Sequence, residues 1–193
     1  RFEWLSRIFN LRARKSENDI DLKPIVVACQ EMGEQKVGAL IIIRQLNDLG
    51  VVEESGISID AKVSTALLEN IFFKNAPLHD GAVIVEGDRI VAAKCILPVT
   101  QSDVPKDYGT RHRAAIGMSE ISDAIIVIVS EETGGIAIAQ GGELRRNIEP
   151  VRLQQTLQRF LVRNEGRRAR RQAAERKEKG WRKLWKQAFH KEE

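Results

Sequence analysis

The stretch His79-Asp80-Gly81-Ala82-Val83-Ile84-Val85-Glu86-Gly87-Asp88-Arg89-Ile90-Val91-Ala92-Ala93-Lys94-Cys95 decides the fold. Two apolar runs flank a two-residue Gly87-Asp88 link, which is the signature of a β-hairpin. Pro98 ends the second strand, because proline cannot donate to a sheet ladder. On the N-terminal side, Lys74-Asn75-Ala76-Pro77 turns the chain into the hairpin. Before that turn, residues 63–73 put Val63, Leu67 and Ile71 on one helical face, with Asp60 as the expected cap. Residues 47–56 read as loop, and the apolar run 37–43 as a buried strand. Residues 19–35 form a helix with Ile25, Cys29 and Met32 in register, Asp21 at its N-cap and Pro24 near its first turn.

On the C-terminal side, residues 99–108 are polar and lack periodicity. Thr110 is expected to cap a helix running to about Glu120. Residues 124–129 read as a central strand and 136–140 as another. Gly141-Gly142 turns the chain, and a helix follows over about 150–162. The order helix, strand, helix, hairpin, helix, two strands, helix predicts an α/β protein of the α+β type. Its centre is a mixed, largely antiparallel β-sheet flanked by helices. Leu40, Ile42, Leu67, Val83, Val85, Val91, Ile126, Ile128 and Ile138 are the expected core.

The chain has 193 residues, of which 42% are hydrophobic and 30% charged, within the range of globular proteins that bury one core. The longest apolar runs, 39–43 and 124–129, fall far short of the ~20 residues of a membrane helix. The chain begins with Arg1 rather than Met and is read as a fragment. Cys29 and Cys95 lie in apolar patterns without zinc-ligand spacing, and read as two buried reduced thiols. Net charge is +4, but residues 161–193 hold 12 Lys and Arg against 5 Asp and Glu. The basic pI of about 9.2 therefore belongs to the tail and does not argue for a nucleic-acid-binding core. Three segments are expected: a basic amphipathic linker over 1–17, a folded domain over 18–162, and a basic amphipathic tail over 163–193.

Two motifs outside the strands carry chemistry. In His79-Asp80-Gly81-Ala82 a carboxylate stands on a tight turn next to a glycine that admits close backbone approach. A hard cation such as Mg²⁺ takes carboxylate oxygens, and His79 suits Mn²⁺ or Co²⁺. The alternative is a turn aspartate that bonds its own backbone. In Gly109-Thr110-Arg111-His112-Arg113, two guanidinium groups occupy the first turn of a helix, the end where the macrodipole disfavours cations. A bound polyphosphate reverses that balance. The alternative is a solvated basic turn paired with Asp103 or Asp107. Ser130-Glu131-Glu132-Thr133-Gly134-Gly135 follows the most apolar strand and offers a hydroxyl for phosphate and carboxylates for a metal, or else a solvated turn. No GxxxxGK[ST] loop or GxGxxG fingerprint is present, and nothing suggests a hydrolase triad.

PLHDGA, ILP, GTRHRAA and SEETGG occur in the order and approximate spacing of the diadenylate cyclase (DAC) domain, and ISIDAKVS upstream also resembles that family. The resemblance covers about residues 20–160. It implies the DAC-domain fold and a metal-dependent condensation of two ATP into cyclic di-AMP and two pyrophosphates across a face-to-face homodimer. It implies Asp80, Gly81 and Ala82 as the catalytic turn, and His79, Asp80 and Glu132 as ligands of Mn²⁺, Mg²⁺ or Co²⁺. Gly109, Thr110, Arg111, His112, Arg113, Ser130 and Glu131 would hold ATP and its phosphates, with Ile96 and Leu97 lining the adenine pocket. Membrane-bound members of the family carry transmembrane helices before this domain, so residues 1–15 resemble a juxtamembrane link on a cytoplasmic catalytic domain. Trp181, Leu184, Trp185 and Phe189 share one face of the tail, which fits docking to a membrane or a regulatory protein. The competing readings are an ATP sensor without turnover and a nucleic-acid-binding protein that uses the tail; no recognisable DNA-reading module supports the latter.

Overall fold

The computed structural model describes residues 21–161. The expectations for the linker at 1–17 and the tail at 163–193 lie outside the described residues. The elements are α1 (Lys23–Glu34), β1 (Ala39–Ile43), α2 (Gly50–Glu54), β2 (Ile57–Lys62), α3 (Thr65–Phe72), β3 (Ala82–Glu86), β4 (Arg89–Cys95), α4 (Thr110–Ile121), β5 (Ile125–Val129), β6 (Ile136–Gln140) and β7 (Glu143–Arg145). A further helix, α5, covers 150–161.

The strands form a seven-stranded sheet in the order β2-β4-β3-β1-β5-β6-β7. Only β1 and β3 run parallel; the other neighbours are antiparallel. Period-two alternation divides the sheet between two cores. Ile41, Ile43, Val83, Val85, Val127 and Val129 face α1, α3 and Leu153 and Leu157 of α5. Leu40, Ile42, Ile84, Ile126 and Ile128 face Leu49 and the α4 residues Ala115 and Met118. Helices on both faces explain why β1 and β5 read as unbroken apolar runs. The mixed sheet with flanking helices is the architecture expected from the sequence.

Several local expectations are corrected. Asp60 does not cap a helix; it lies in β2 with φ of 47°, at an irregularity in the β2–β4 register. Its carboxylate pairs with Arg89 Nε at 2.7 Å. Ser64 caps α3 instead, its hydroxyl accepting the Leu67 N–H at 3.2 Å. That start turns Leu68, Ile71 and Phe72 into the core and leaves Leu67 only partly buried, as Val91 also is. Part of the expected loop 47–56 is the short helix α2. Asp21 stands one residue outside the N-cap of α1, and its carboxylate accepts the Lys23 N–H at 3.1 Å. The edge strand β7, absent from the sequence reading, pairs with β6 after the Gly141-Gly142 turn.

Gly117 allows α4 to press on the chain after β4. A Cβ there would meet Pro98 O and lie 2.6 Å from Thr100 N and 2.8 Å from the Val99 carbonyl carbon. Helix propensity alone favours Gly117→Ala by about 1 kcal/mol. Overpacking against backbone that cannot swing away costs about 1–3 kcal/mol and wins. Gly117→Ala is expected to lower the melting temperature by a few degrees in calorimetry; an equal or higher value would show that the 98–100 segment yields freely.

Candidate functional site

The sheet register brings the sequence motifs to one edge. At that edge Ala39, opening β1, pairs with Val129, closing β5. Val129 also pairs with Ile136, which opens β6. On the other side of β1, Ile41 pairs in parallel with Val83, so β3 opens at the same edge. Cys95, closing β4, pairs with Ala82. The residues just beyond these ends are therefore neighbours: Gly38, His79-Asp80-Gly81, Ile96-Leu97 and Ser130-Glu131-Glu132. With strands about 4.8 Å apart, the approach to β3 lies about 10 Å from the exit of β5 across β1.

The exit of β5 meets the first turn of α4 in a small cleft of about 40 Å³. Thr110, Arg111 and His112 line one side, Ser130, Glu131 and Glu132 the other, and Asp107 and Arg146 the rim. Gly109, not Thr110, is the N-cap of α4, and it supplies no side-chain cap. The first N–H groups of the helix therefore face the cleft end without an intrahelical partner. Arg111 Nη1 pairs with Glu131 Oε2 at 2.7 Å. Its guanidinium lies over Gly38, where a Cβ would be 2.6 Å from Nη1 and 2.7 Å from Cζ.

The loop after β5 is locally braced. Ser130 Oγ accepts the N–H groups of Glu132 and Thr133, each at 3.3 Å, and keeps its own proton to donate. Gly134, with φ of 74°, rests backbone to backbone on Gly33 of α1, whose own Cβ would lie 2.6 Å from Gly134 O. His112 is 8% exposed. Burial holds its imidazole below the ordinary histidine range; the charge of Arg146 pushes the same way, while Glu132 and Asp107 oppose it. Tyr108 stacks at a tilt on His112 with ring centroids 5.6 Å apart, and the Arg146 guanidinium sits 5.3 Å from the Tyr108 ring centre. Arg146 Nη1 also pairs with Asp107 Oδ2 at 2.6 Å, holding that carboxyl below its usual range. Asp107 thus serves Arg146, while Arg111 pairs with Glu131.

At the approach to β3, His79 Nδ1 lies 2.6 Å from Ala76 O. As donor there, the ring leaves Nε2 free for a metal. Asp80 is exposed beside it. Gly81 has φ of 136°, and a Cβ would fall 2.7–2.9 Å from backbone atoms of Lys94 and Cys95. Its close approach is to β4 of its own chain. Ala82 is fully buried in β3 and presents only backbone. Ile96 is 73% exposed, whereas Leu97 packs into the core on the α4 face. Arg113 is partly buried outside the cleft lining. Among the described residues, no three His, Cys, Asp or Glu side chains are gathered to hold a metal, so His79, Asp80 and Glu132 do not form one cluster.

Gly38, Tyr108, Asp107 and Arg146 were not singled out as site residues from sequence. Gly38 carried a usable signal, a glycine inside the apolar run 37–43; Arg146 is one of 31 Lys and Arg residues and carried none.

The family model described as DAC, DisA bacterial checkpoint controller nucleotide-binding, matches residues 26–144. The chain is 44% identical over 144 residues to the cyclic di-AMP synthase CdaA of Bacillus subtilis, covering 74% of this chain and 53% of that protein. Crystallised DacA from Staphylococcus aureus, a double mutant, superposes with a TM-score of 0.71 at 42% identity, covering 72% of this chain and 94% of that one. A structure described as a hypothetical membrane spanning protein from Bacillus cereus superposes at 0.65 and 42% identity, covering 74% and 71%. The chain spans about half the length of the curated relatives it matches.

Gly38→Ala separates the site from the fold. The atoms in its way are the far end of Arg111 and a Glu131 oxygen at 3.1 Å, which can swing aside. Stability is expected to change by less than about 1 kcal/mol in chemical denaturation. Calorimetric affinity for inorganic triphosphate, the kind of anion the cleft suits, should fall about tenfold or more as Arg111 leaves its place; unchanged affinity would remove Arg111 from the site.

Proposed function

The chain belongs to the DAC family, and from that premise we propose that it is a diadenylate cyclase, condensing two ATP into cyclic di-AMP and releasing two pyrophosphates. The observation that carries this reading is the convergence of the aspartate turn, the arginine-flanked helix start and the Ser130 loop on one edge of the sheet. The cleft between α4 and the Ser130 loop suits phosphate. Unpaired N–H groups, the Arg111 fork and the Ser130 hydroxyl all favour an anion there, and the acidic Glu131 now paired with Arg111 yields to a more highly charged polyphosphate.

Each protomer holds one ATP, and two protomers face each other about a two-fold axis. The 3′-hydroxyl of one ATP attacks the α-phosphate of the other. A ribose O3′–P bond forms, the bond to the β-phosphate breaks, and pyrophosphate leaves. The reciprocal step closes the ring. Such transfers need positioning and charge neutralisation more than covalent help from the protein. Arg111 and the α4 N-terminus neutralise and orient the phosphates, with Thr110, His112 and Glu131 around them; Arg113, outside the cleft lining, adds positive charge one turn away. His112, kept neutral by burial, adds no charge and can donate or accept one hydrogen bond. Asp80 orients the 3′-hydroxyl and receives its proton, and Ile96 offers an open apolar surface to the base.

A divalent ion suits the free Nε2 of His79 and the carboxylate of Asp80, a mixed nitrogen and oxygen set that Mn²⁺ or Co²⁺ accepts and Mg²⁺ takes through its oxygens. Bound there with ATP oxygens and water, it would offset the phosphate charge. The family resemblance also implies Glu132 as a ligand, a residue that is not gathered with His79 and Asp80 within this one chain.

Chromatography of products from ATP with Mn²⁺, Mg²⁺ or Co²⁺ tests the reading. Cyclic di-AMP should form, and Asp80→Asn should lower the rate by at least about a thousandfold with the fold intact. Wild-type turnover by that variant would end the role given to Asp80.

We also place this domain at the cytoplasmic face of a membrane. No helix among the described residues is long and apolar enough to cross one. Attachment would run through residues 1–15 and the aromatic residues Trp181, Trp185 and Phe189 of the tail sequence. Flotation with anionic liposomes should recover the full chain and lose it on deletion of 165–193; equal recovery discards the tail as an anchor.

A further inference from the structure

A larger cavity of about 750 Å³ is lined by residues other than those of the cleft, between β6, the edge strand β7 and helix α5. Nothing in the cyclase reading uses it. Its volume falls within the range of small-molecule sites, roughly 300–1,000 Å³. Arg145 enters it from β7, and Arg152 and Arg159 enter it from α5. Residues 152, 155, 156 and 159 recur at helical spacing, so Arg152, Gln155, Thr156 and Arg159 form one stripe along the cavity. The two helix arginines stand about 10 Å apart along the axis. Ile138, Ile148 and Phe160 supply an apolar floor.

The charge here is unbalanced. Among the described residues, Arg152 and Arg159 have no ion-pair partner. Arg145 has only Glu143, at 3.8 Å, and both side chains are about three-quarters exposed, at 74% and 78%. Such a pair is weak and readily exchanged. Three guanidinium groups thus face one loosely held carboxylate, beside an apolar surface and amide and hydroxyl groups. Arginine forks match phosphate oxygens in pairs, and an aromatic ring next to aliphatic side chains accepts the flat face of a base.

We propose that this cavity is a second binding site for a nucleotide, with its phosphates on Arg145, Arg152 and Arg159 and its base against Ile148 and Phe160. The position gives the site a route to the catalytic cleft. Arg145 and Arg146 are consecutive; the first lines this cavity and the second lines the rim of the cleft, where it holds Asp107. A ligand that draws Arg145 inward acts on the strand end that carries Arg146.

The test is amide and arginine side-chain NMR on the full chain, titrated with α,β-methylene-ATP, which cannot release pyrophosphate. Two sets of shifts are expected, one over 109–133 and one over 138–160, saturating at different concentrations. The double variant Arg152→Gln/Arg159→Gln should weaken the second set about tenfold or more and leave the first in place. Arg111→Gln should do the reverse. The second proposal is overturned if residues 138–160 do not shift in the wild-type chain, or if their shifts survive the double variant unchanged. Cyclase activity is read separately: the double variant should still make cyclic di-AMP. A wild-type chain that shifts at both sites but makes none defeats the cyclase reading and leaves this site standing.

Discussion

The parallel pairing of β1 with β3 is the constraint from which the site follows. In a sheet otherwise built of antiparallel neighbours, this one pair makes β3 open where β1 opens. The antiparallel partner β5 then closes at that edge, and the hairpin returns β4 to it. Were β3 antiparallel to β1, Asp80 would stand at the far end of the sheet from Arg111. Parallel neighbours need a crossover, and the segment through α2, β2 and α3 supplies it. The same segment covers part of both faces, so the connection also contributes to the two cores.

Glycines allow the close contacts at that edge, and magnitudes separate what holds the fold from what prepares the site. Gly134 on Gly33 and Gly117 on the 98–100 segment are backbone contacts, where an added methyl group has nowhere to go. They fix the loop after β5 and the seat of α4. Gly38 is different, because its neighbours are side-chain ends. The Arg111–Glu131 pair it accommodates is partly exposed, with side-chain exposures of 22% and 61%. A pair of that kind contributes about 1 kcal/mol or less to stability. Its consequence is local: the guanidinium is held in the cleft before any phosphate arrives, and less side-chain freedom is lost on binding.

The sequence made the sheet legible where period and turn chemistry agreed. The Gly87-Asp88 hairpin, the apolar runs of β1 and β5 and the Gly141-Gly142 turn all appear in the structure. Reading failed where a local rule had two outlets. Asp60 suits a helix cap, but the register irregularity in β2 places it in the strand, while Ser64 four residues on takes the cap. Thr110 suits a cap as well, yet the chain enters α4 through Gly109. For the site, family-like motifs marked the charged residues, but not how they are held. That Leu97 turns inward while Ile96 stays out, or that Arg146 reaches the rim through Asp107 and Tyr108, depends on packing between elements distant in sequence.

The size of the cleft bears on how a nucleotide lies here. About 40 Å³ admits a phosphate group and not a base and sugar. The path from the cleft to Asp80 runs across the start of β1, about 10 Å along the ends of the strands. Ile96, 73% exposed at the end of β4, would be a poor resting place for an apolar surface in an isolated chain. On the proposed reading, a nucleotide stretched along this edge would keep its phosphates in the cleft and its sugar hydroxyl near Asp80. A second copy facing this edge would cover the base and bring an α-phosphate to that hydroxyl. On the proposed reading, such a facing copy would complete the site, and an edge that one chain leaves open suits a reaction that joins two identical substrates.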